Sequence, residues 1–364
     1  MEGDNMKEEK KDNKSFYIIL SFFTIVLSML GSYLVVRLCS TPVEVRTVKD
    51  YSNIKIDDTG IAGSVLKVYD SVVVVETYKN NKLYATGTGF VFKEDDNYGY
   101  ILTNHHVIED GTSFKVKFTN GEEQEVTVVG SDEYSDIAVL KVNKEYVISV
   151  ATIGSSEEML VGDTTFVIGA PLDADTYSWT VTRGILSGKD RLVEVTSSTY
   201  RSVVMNVLQT DTAINSGNSG GPICNANGEI IGIVNMKLSS SQVEGMGFAI
   251  PIEVALEYAD NFISGKTIIR PYLGVSMYDL SSSIFSTETG IYLRAVESGS
   301  PADKAGLKEG DVIIAINDKE VSTSAYLKYE LYKHNVGDEV TIKYKRDNKE
   351  YTTTVTLGSY DVRG

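Results

Sequence analysis

The stretch Asn215-Ser216-Gly217-Asn218-Ser219-Gly220-Gly221-Pro222 decides how the chain is read. Ser219 stands among three glycines, after Gln209-Thr210-Asp211 and before an apolar run. Glycine admits backbone conformations closed to other residues and lets the main chain come close to a ligand. A tight loop of this composition can present a hydroxyl beside two N–H groups aimed at one point. Acyl transfer needs that pairing of nucleophile and oxyanion donors. The same residues also suit a plain turn between strands, so the stretch alone leaves both readings open.

Working outward, two segments bear on the choice. The chain holds three histidines, His105, His106 and His334, so a search for a general base is short. Leu102-Thr103-Asn104-His105-His106-Val107-Ile108 puts a histidine pair at the end of a predicted strand. Tyr134-Ser135-Asp136-Ile137-Ala138-Val139-Leu140 brings an aspartate into another. With Ser219 the chain order is His, Asp, Ser, one of the orders in which the Ser-His-Asp triad recurs. A serine hydroxyl is a weak nucleophile. It needs an imidazole to take its proton, and the imidazole needs a carboxylate to fix its tautomer. An isolated histidine at a strand end, or an aspartate before a strand, is ordinarily structural. On an extended backbone His105 alternates to the side opposite His106 and faces away.

The surrounding text is β-like. Val72–Val75, Thr88–Phe92, Tyr100–Leu102, Phe114–Phe118, Ile137–Leu140, Phe166–Ile168, Val203–Met205 and Ile230–Val234 are strand-sized runs separated by Gly, Asn and Asp turns. They predict sandwich or barrel structure, and residues 65–250 are enough for two barrels. Residues 61–69 suit a short helix. Pro251–Ser264 reads as a connecting helix with Gly265 as its C-cap. Residues 271–358 form a second unit: two strand-like runs, a helix around Thr323–His334 carrying Leu327 and Leu331 on one face, and a closing pair of strands turned at Arg346-Asp347-Asn348.

With 364 residues, 42% hydrophobic and 23% charged, the composition is that of a globular protein of about two domains plus extras. A net charge of −16 argues against nucleic acid and anionic lipid surfaces as partners. Cys39 and Cys224 lie in unrelated contexts, which predicts no disulfide. No C-x-x-C or Cys/His cluster suggests zinc. Residues 16–36 carry no charge, and a helix over them covers about 31 Å, enough to cross a bilayer. A cleaved signal peptide is the competing reading. Its apolar core is shorter and ends in a small-x-small site, whereas this stretch runs into Val-Val-Arg-Leu-Cys-Ser. Lys7, Lys10, Lys11 and Lys14 precede the span; Arg37, Arg46 and Lys49 follow it. The bias favours a cytoplasmic N-terminus.

Together these segments resemble the HtrA (Deg) serine proteases of the trypsin-like clan. Thr103-Asn104-His105-His106-Val107, Asp136-Ile137-Ala138-Val139-Leu140 and Gly217-Asn218-Ser219-Gly220-Gly221-Pro222 are similar to the family's three catalytic motifs. Gly87–Phe90, Thr180–Ile185 and Gly247–Pro251 resemble further family segments. Tyr272-Leu273-Gly274-Val275, Ser298–Leu307 and Gly310–Ile313 resemble a PDZ domain. The resemblance implies a mainly β fold: a trypsin-like double six-stranded β-barrel over 61–252, a connecting segment over 253–268 and an α+β PDZ domain over 269–360. Ahead of these would lie a cytoplasmic tail (1–15), a transmembrane helix (16–38) and a linker (39–60).

It further implies Ser219 as nucleophile, His106 as general base and then acid, Asp136 as orienting carboxylate, and the N–H groups of Gly217 and Ser219 as the oxyanion hole. By position, Ala213 lies at the base of the pocket for the P1 side chain. Ala213, Ile214, Val234 and Met236 carry no charge and suit a small apolar residue, unless they are simply core positions. Tyr272, Leu273, Gly274 and Val275 would receive a peptide carboxylate by strand addition, with Leu327 and Leu331 as the groove's other wall.

The implied protein is a bacterial, membrane-anchored, ATP-independent endopeptidase. It acts on unfolded or damaged proteins outside the cytoplasm, assembles as a homotrimer, is switched by C-terminal peptides at its PDZ domain, and uses no cofactor or metal. Two alternatives remain at this stage: a peptide-binding, chaperone-like protein with an idle triad, and a site-specific signalling protease.

Overall fold

A computed structural model describes residues 5–39, 60–170, 179–197, 201–235, 245–280 and 289–359. Backbone contacts divide the chain into Met1–Asp58 and Thr59–Gly364. The first unit is built on one helix, α1 (Asn5–Cys39), longer than the span read from the sequence. The extension runs through Met6-Lys7-Glu8-Glu9-Lys10-Lys11, whose straight-chain residues favour helix as much as the apolar stretch does. Phe16–Tyr33 is its most apolar window, with a mean hydropathy of 1.8 and no side chain buried. The expected linker falls almost wholly on residues 40–59, outside the described residues.

The second unit opens with α2 (Ala62–Tyr69) and then forms two closed barrels. The first comprises β1 (Val72–Lys79), β2 (Lys82–Glu94), β3 (Tyr98–Thr103), β4 (Ser113–Lys117), β5 (Glu123–Asp132) and β6 (Ile137–Asn143), closed in the order β1-β2-β3-β6-β5-β4. A helical turn, α3 (His105–Ile108), follows β3. The second comprises β7 (Thr164–Gly169), β8 (Thr180–Ser197), β9 (Arg201–Thr210), β10 (Pro222–Asn225), β11 (Ile230–Val234) and β12 (Gly247–Pro251), closed as β10-β11-β12-β9-β8-β7.

The apolar runs explain this arrangement. Successive side chains of a strand point to opposite faces, and here both faces are covered. Val73 and Val75 fill the first barrel, while Val72 packs in the layer between the barrels. Ala138 and Leu140 likewise point inward, and Ile137 and Val139 into the shared layer. In the second barrel Val167 points inward, while Phe166 and Ile168 join the shared layer. Strands buried on both sides read as unbroken apolar runs rather than alternating ones. Full burial of a side chain such as Phe166 stabilises by about 1.5–3 kcal/mol, so this shared layer holds the two barrels together.

α4 (Ile252–Ile263) follows β12 and buries Ile252, Ala255, Ala259 and Phe262 against the same layer. Gly265 beyond it has φ +69°, the left-handed conformation of a helix stop. The C-terminal domain then contains β13 (Pro271–Tyr272), β14 (Val275–Leu280), β15 (Gly290–Val296), α5 (Pro301–Lys304), β16 (Val312–Ile316), β17 (Lys319–Glu320), α6 (Ser324–Leu331), β18 (Glu339–Arg346), β19 (Lys349–Thr356) and β20 (Gly358–Ser359). Its sheet runs β14-β15-β16-β18-β19, leaving β14 at an edge. The closing hairpin turns on Asp347 and Asn348, with φ +50° and +59°, the conformation a two-residue hairpin loop demands.

Asp311 of the Gly-Asp pair is fully buried. Arg346 holds it with two hydrogen bonds, Nε to Oδ1 at 2.6 Å and Nη2 to Oδ2 at 2.7 Å. α6 lies against β9 of the second barrel.

Candidate active site

β3 ends at Thr103, and the backbone turns at Asn104 into α3. The expected strand alternation at the histidine pair is therefore corrected: His105 and His106 begin a helical turn. Their side chains diverge because neighbours in a helix do not share a face. Nδ1 of His106 lies 2.7 Å from Asp136 Oδ2. An ionised carboxylate only accepts, so Nδ1 carries the proton and Nε2 is left with its lone pair. His106 N–H also donates to Asp136 Oδ1 at 2.9 Å. Asp136 is 3% exposed and has φ +54°, a left-handed conformation that costs a non-glycine residue on the order of 1–3 kcal/mol. Its carbonyl is held twice, by Asn104 Nδ2 at 2.9 Å and His105 N–H at 3.2 Å.

The loop carrying Ser219, the expected nucleophile, lies between β9 and β10, on the second barrel. Asn218 N–H donates to Asn215 O (3.0 Å) and Gly221 N–H to Asn218 O (2.9 Å), which closes successive turns about Ser219. Gly217 has φ +100°. Its carbonyl accepts from Thr88 Oγ1 at 2.6 Å, and among the described residues its N–H meets no backbone carbonyl. Ser219 is 6% exposed, and its carbonyl accepts from Thr88 N–H at 2.9 Å. Gly220 and Gly221 are bonded to β11: Gly220 N–H to Val234 O at 3.0 Å, and Val234 N–H to Gly221 O at 2.8 Å. Glycine is required at 220, where φ is +83° and a Cβ would lie 2.2 Å from Thr88 O. The structure thus brings His106 and Asp136 together on the first barrel and seats Ser219 on the second, against Thr88 of the first.

The candidate P1 pocket residues are less uniform. Ala213 is exposed, Ile214 is half-buried against the second barrel's core, and Val234 is wholly buried inside it. Met236 lies outside the described residues. Gly247 faces Ile214 so closely that a Cβ there would lie 2.5 Å from Ile214 Cδ1. Among the described residues no cluster of three or more His, Cys, Asp or Glu is placed to hold a metal ion. Burial pushes the Cys224 thiol well above its ordinary range, so it stays protonated.

In the PDZ domain the carbonyls of Leu273 and Gly274 turn inward, accepting from Ala302 N–H and Glu297 N–H at 2.9 Å each. Among the described residues the N–H groups of Leu273 and Gly274 meet no backbone carbonyl. Gly274 has φ +82° and packs so tightly on Ser300 that a Cβ would lie 2.2 Å from Ser300 Cβ. Tyr272 hydroxyl bonds Glu297, and Val275 starts the edge strand β14. Leu327 and Leu331 point into the PDZ core; Tyr326 and Met277 are their half-buried neighbours on α6 and β14.

Three residues at the site had no role in the sequence reading. Thr88 and Asn104 sat inside quoted motifs without a task. Asn235, discussed below, had only one signal, a polar residue directly after the apolar run Ile230–Val234.

The two barrels, with His106 and Asp136 on one and Ser219 on the other, define a trypsin-like peptidase fold carrying a PDZ domain. A trypsin-like peptidase domain profile matches residues 87–233, and a PDZ domain profile matches residues 271–357. The serine protease Do-like HtrA of Bacillus subtilis (strain 168) is 44% identical over 285 residues, covering 75% of this chain and 63% of that protein. The serine protease Do-like HtrA of Lactococcus lactis subsp. cremoris is 35% identical over 345 residues, covering 84% of each. The chain thus matches under two-thirds of the Bacillus relative's length but most of the Lactococcus one. The solved structure of the HtrA-type protease AlgW with a decapeptide superposes with a TM-score of 0.64 at 28% identity, covering 83% of this chain and 99% of that one. The chain belongs to the HtrA family of serine proteases.

Proposed function

We propose that the chain is an ATP-independent serine endopeptidase that degrades unfolded or damaged proteins outside the cytoplasm. The observation that carries the hydrolytic reading is the 2.7 Å contact of His106 Nδ1 with Asp136 Oδ2. In this reading Ser219 Oγ attacks the scissile carbonyl carbon while His106 Nε2 takes its proton. The N–H groups of Gly217 and Ser219 stabilise the oxyanion, and the imidazolium returns the proton to the leaving amine. Water then repeats the sequence on the acyl-enzyme. Ala213 and Ile214 line the P1 pocket, while Val234, closed off in the barrel core, takes no part; the apolar Ile214 facing Gly247 supports a small aliphatic preference. Such residues are buried in folded proteins, so an unfolded chain is the substrate.

α1 anchors the protein in the cell membrane as a single pass with its N-terminus in the cytoplasm; its exposed apolar window supports this. Three copies assemble. A peptide with an apolar C-terminus adds to β14 with its carboxylate on the Leu273 and Gly274 N–H groups.

Control of the protease by that peptide is supported by the junction between the domains. Arg270 Nη2 donates to Asp132 Oδ2 at 2.6 Å, and the guanidinium lies 4.8 Å and 5.5 Å from the ring centres of Tyr134 and Tyr332. Tyr332 follows α6, while Asp132 ends β5 and Tyr134 lies in the turn that leads to Asp136. Asp132 Oδ2 accepts from Ser135 N–H and Ser135 Oγ, each at 2.8 Å.

The test uses the full chain in detergent or vesicles, with a fluorophosphonate probe and an unfolded protein substrate. Wild type is expected to be labelled at Ser219 and to cleave the substrate, faster with a peptide ending in apolar residues. Ser219→Ala is expected to do neither while keeping its melting temperature. Cleavage retained in Ser219→Ala removes Ser219 from its role. Peptide binding without labelling in any state replaces the enzyme with a binding module.

A further inference from the structure

β9 ends at Thr210, whose ladder partners are Leu186 on β8 and Gly247 on β12. Beyond it the chain leaves the sheet, and among the described residues no backbone–backbone hydrogen bond holds 211–214. Side chains hold it instead. Ile185 N–H donates to Asp211 Oδ1 at 2.7 Å, and Thr182 Oγ1, also on β8, donates to Ala213 O at 2.9 Å. At Thr212 three buried hydroxyls meet. Thr165 Oγ1 of β7 lies 3.0 Å from both Thr210 Oγ1 and Thr212 Oγ1, and those two lie 2.8 Å apart. Each of the three residues is at most 1% exposed. Thr210 Oγ1 also reaches Ile185 O at 2.8 Å and accepts from Thr212 N–H at 3.1 Å. Gly184 has no room for a side chain. A Cβ there would lie 2.3 Å from Asp211 Oδ1 and 2.5 Å from Thr212 N, so the segment sits directly on β8.

We infer that Thr212, held by Thr165, and Thr182 are positioning residues for the P1 pocket: their hydroxyls fix the Ala213-Ile214 wall and so set the size of apolar side chain it accepts. This rests on the P1 reading above. A buried hydroxyl costs free energy unless it is bonded, and valine would fill the same space without that demand. What the hydroxyl adds is direction, since a hydrogen bond fixes distance and angle whereas apolar burial does not. Thr212 is tied to β7 and Ala213 O to β8, so the two residues before Ile214 cannot slide along the barrel. Ile214 is thereby kept against Gly247, where a Cβ would lie 2.5 Å from its Cδ1. A wall fixed on both sides selects by shape. One that yields admits a larger side chain and loses contact with a smaller one.

The test measures kcat/KM on quenched peptides that differ only at P1, carrying Ala, Val, Leu or Phe, with full-length chains. Thr212→Val and Thr182→Val keep the shape and lose the hydroxyl, whereas Thr212→Ser keeps the hydroxyl. Neither valine strands a buried group. Thr165 and Thr210 still bond each other and Ile185 O, and the carbonyl freed by Thr182→Val belongs to the exposed Ala213. The preference for Val over Phe is expected to fall about tenfold in each valine variant, the scale of one methylene in an apolar pocket. In Thr212→Ser it is expected to stay within about twofold of wild type. The labelling rate with a small fluorophosphonate, which leaves the P1 pocket empty, is expected to stay within about twofold in all three.

An unchanged preference in both valine variants, the same loss in Thr212→Ser, or labelling that falls in step with cleavage overturns the inference. So does a wild type that cleaves after Phe as readily as after Val. If Thr212→Val fails to melt cooperatively, Thr182→Val decides alone. Ile214→Ala keeps the outcomes apart, and is expected to raise cleavage after Phe. If it does so while both valine variants keep the wild-type preference, only the role of the hydroxyls has failed. If Ile214→Ala also keeps that preference, the P1 reading has failed and this inference with it.

Discussion

Replacing Gly220 by alanine tests how tightly the nucleophile loop is built. The added Cβ lands 2.2 Å from Thr88 O and 2.3 Å from Thr103 Oγ1. Neither is free to retreat. Thr88 is bonded through its N–H to Ser219 O at 2.9 Å, and Thr103 Oγ1 donates to Thr88 O at 2.8 Å. The φ of +83° adds a left-handed penalty of about 1–2 kcal/mol for a residue with a side chain. Breaking the Thr103–Thr88 bond costs about 1 kcal/mol, and overpacking a close-packed site about 1–3 kcal/mol. The sum is about 3–6 kcal/mol, taken up by a shift of the loop carrying Ser219. A 1 Å misplacement of reacting groups costs on the order of 100-fold in rate.

Gly121→Ala is the control. Its φ is +86°, but nothing lies within 4 Å of its Cβ, so only the dihedral penalty applies. Denaturant melts of the two variants are expected to differ by about 2–4 kcal/mol, the steric part alone. Labelling and cleavage should be lost in Gly220→Ala and kept in Gly121→Ala. Equal melts and equal activity in the two variants would refute the close approach described here.

Two further outcomes follow from the geometry. Arg270→Leu removes a half-buried ion pair and two cation–π contacts, and is expected to cost about 2–3 kcal/mol; a double-mutant cycle with Asp132→Asn should show coupling, and strict additivity would count against the junction. Glu253 is drawn up by burial, but bonds from Ser156 Oγ (2.5 Å), Ser155 Oγ (2.9 Å) and Ser156 N–H (2.8 Å) outweigh this and hold its carboxyl below the ordinary 4.5. A lowered folded value stabilises above 4.5 and is lost as pH falls through the folded value. Glu253→Gln should therefore flatten the acid side of the stability curve measured by denaturant midpoints from about pH 7 to pH 3, and an unchanged slope would contradict this.

What was legible in the sequence divides along physical lines. Val72–Val75, Ile137–Leu140 and Ile230–Val234 were legible as strands, because short apolar runs rich in β-branched residues and bounded by turns suit little else; that both of their faces are buried was not read from them. Asp347-Asn348 announced a hairpin because so few residues accept positive φ at consecutive positions. The pairing of His106 with Asp136 was expected from local motifs, and the structure sets the two side chains 2.7 Å apart. The turn of α3 was not, since the pattern Leu102–Ile108 suits a strand as well as a strand followed by a helical turn. Leu327 and Leu331 were rightly placed on one face of a helix, but periodicity says only that a face is apolar, not whether it meets the core or a groove. Thr88 and Asn235 were illegible for a deeper reason. Their partners lie at positions 217 and 136, and nothing in a linear pattern records a hydrogen bond across that separation.

Those two long-range contacts bear on why the site sits between barrels at all. The apolar layer formed by Phe90, Leu102, Phe166, Ile168 and Ile233 holds the barrels together but is non-directional. Burial of that kind tolerates small sliding, and catalysis does not. Direction comes from hydrogen bonds: Thr88 N–H and Oγ1 reach from the first barrel to Ser219 O and Gly217 O, while Asn235 Nδ2 reaches back from the second to Asp136. On the proposed triad, the first pair sets where Ser219 and Gly217 lie, and the second holds the Asp136 carboxylate that His106 meets. All are neutral donors, so in the proposed mechanism none competes with the charge that would develop on His106 and at the oxyanion. The barrels supply the cleft, and a few neutral hydrogen bonds across it hold its two sides in the alignment that chemistry requires.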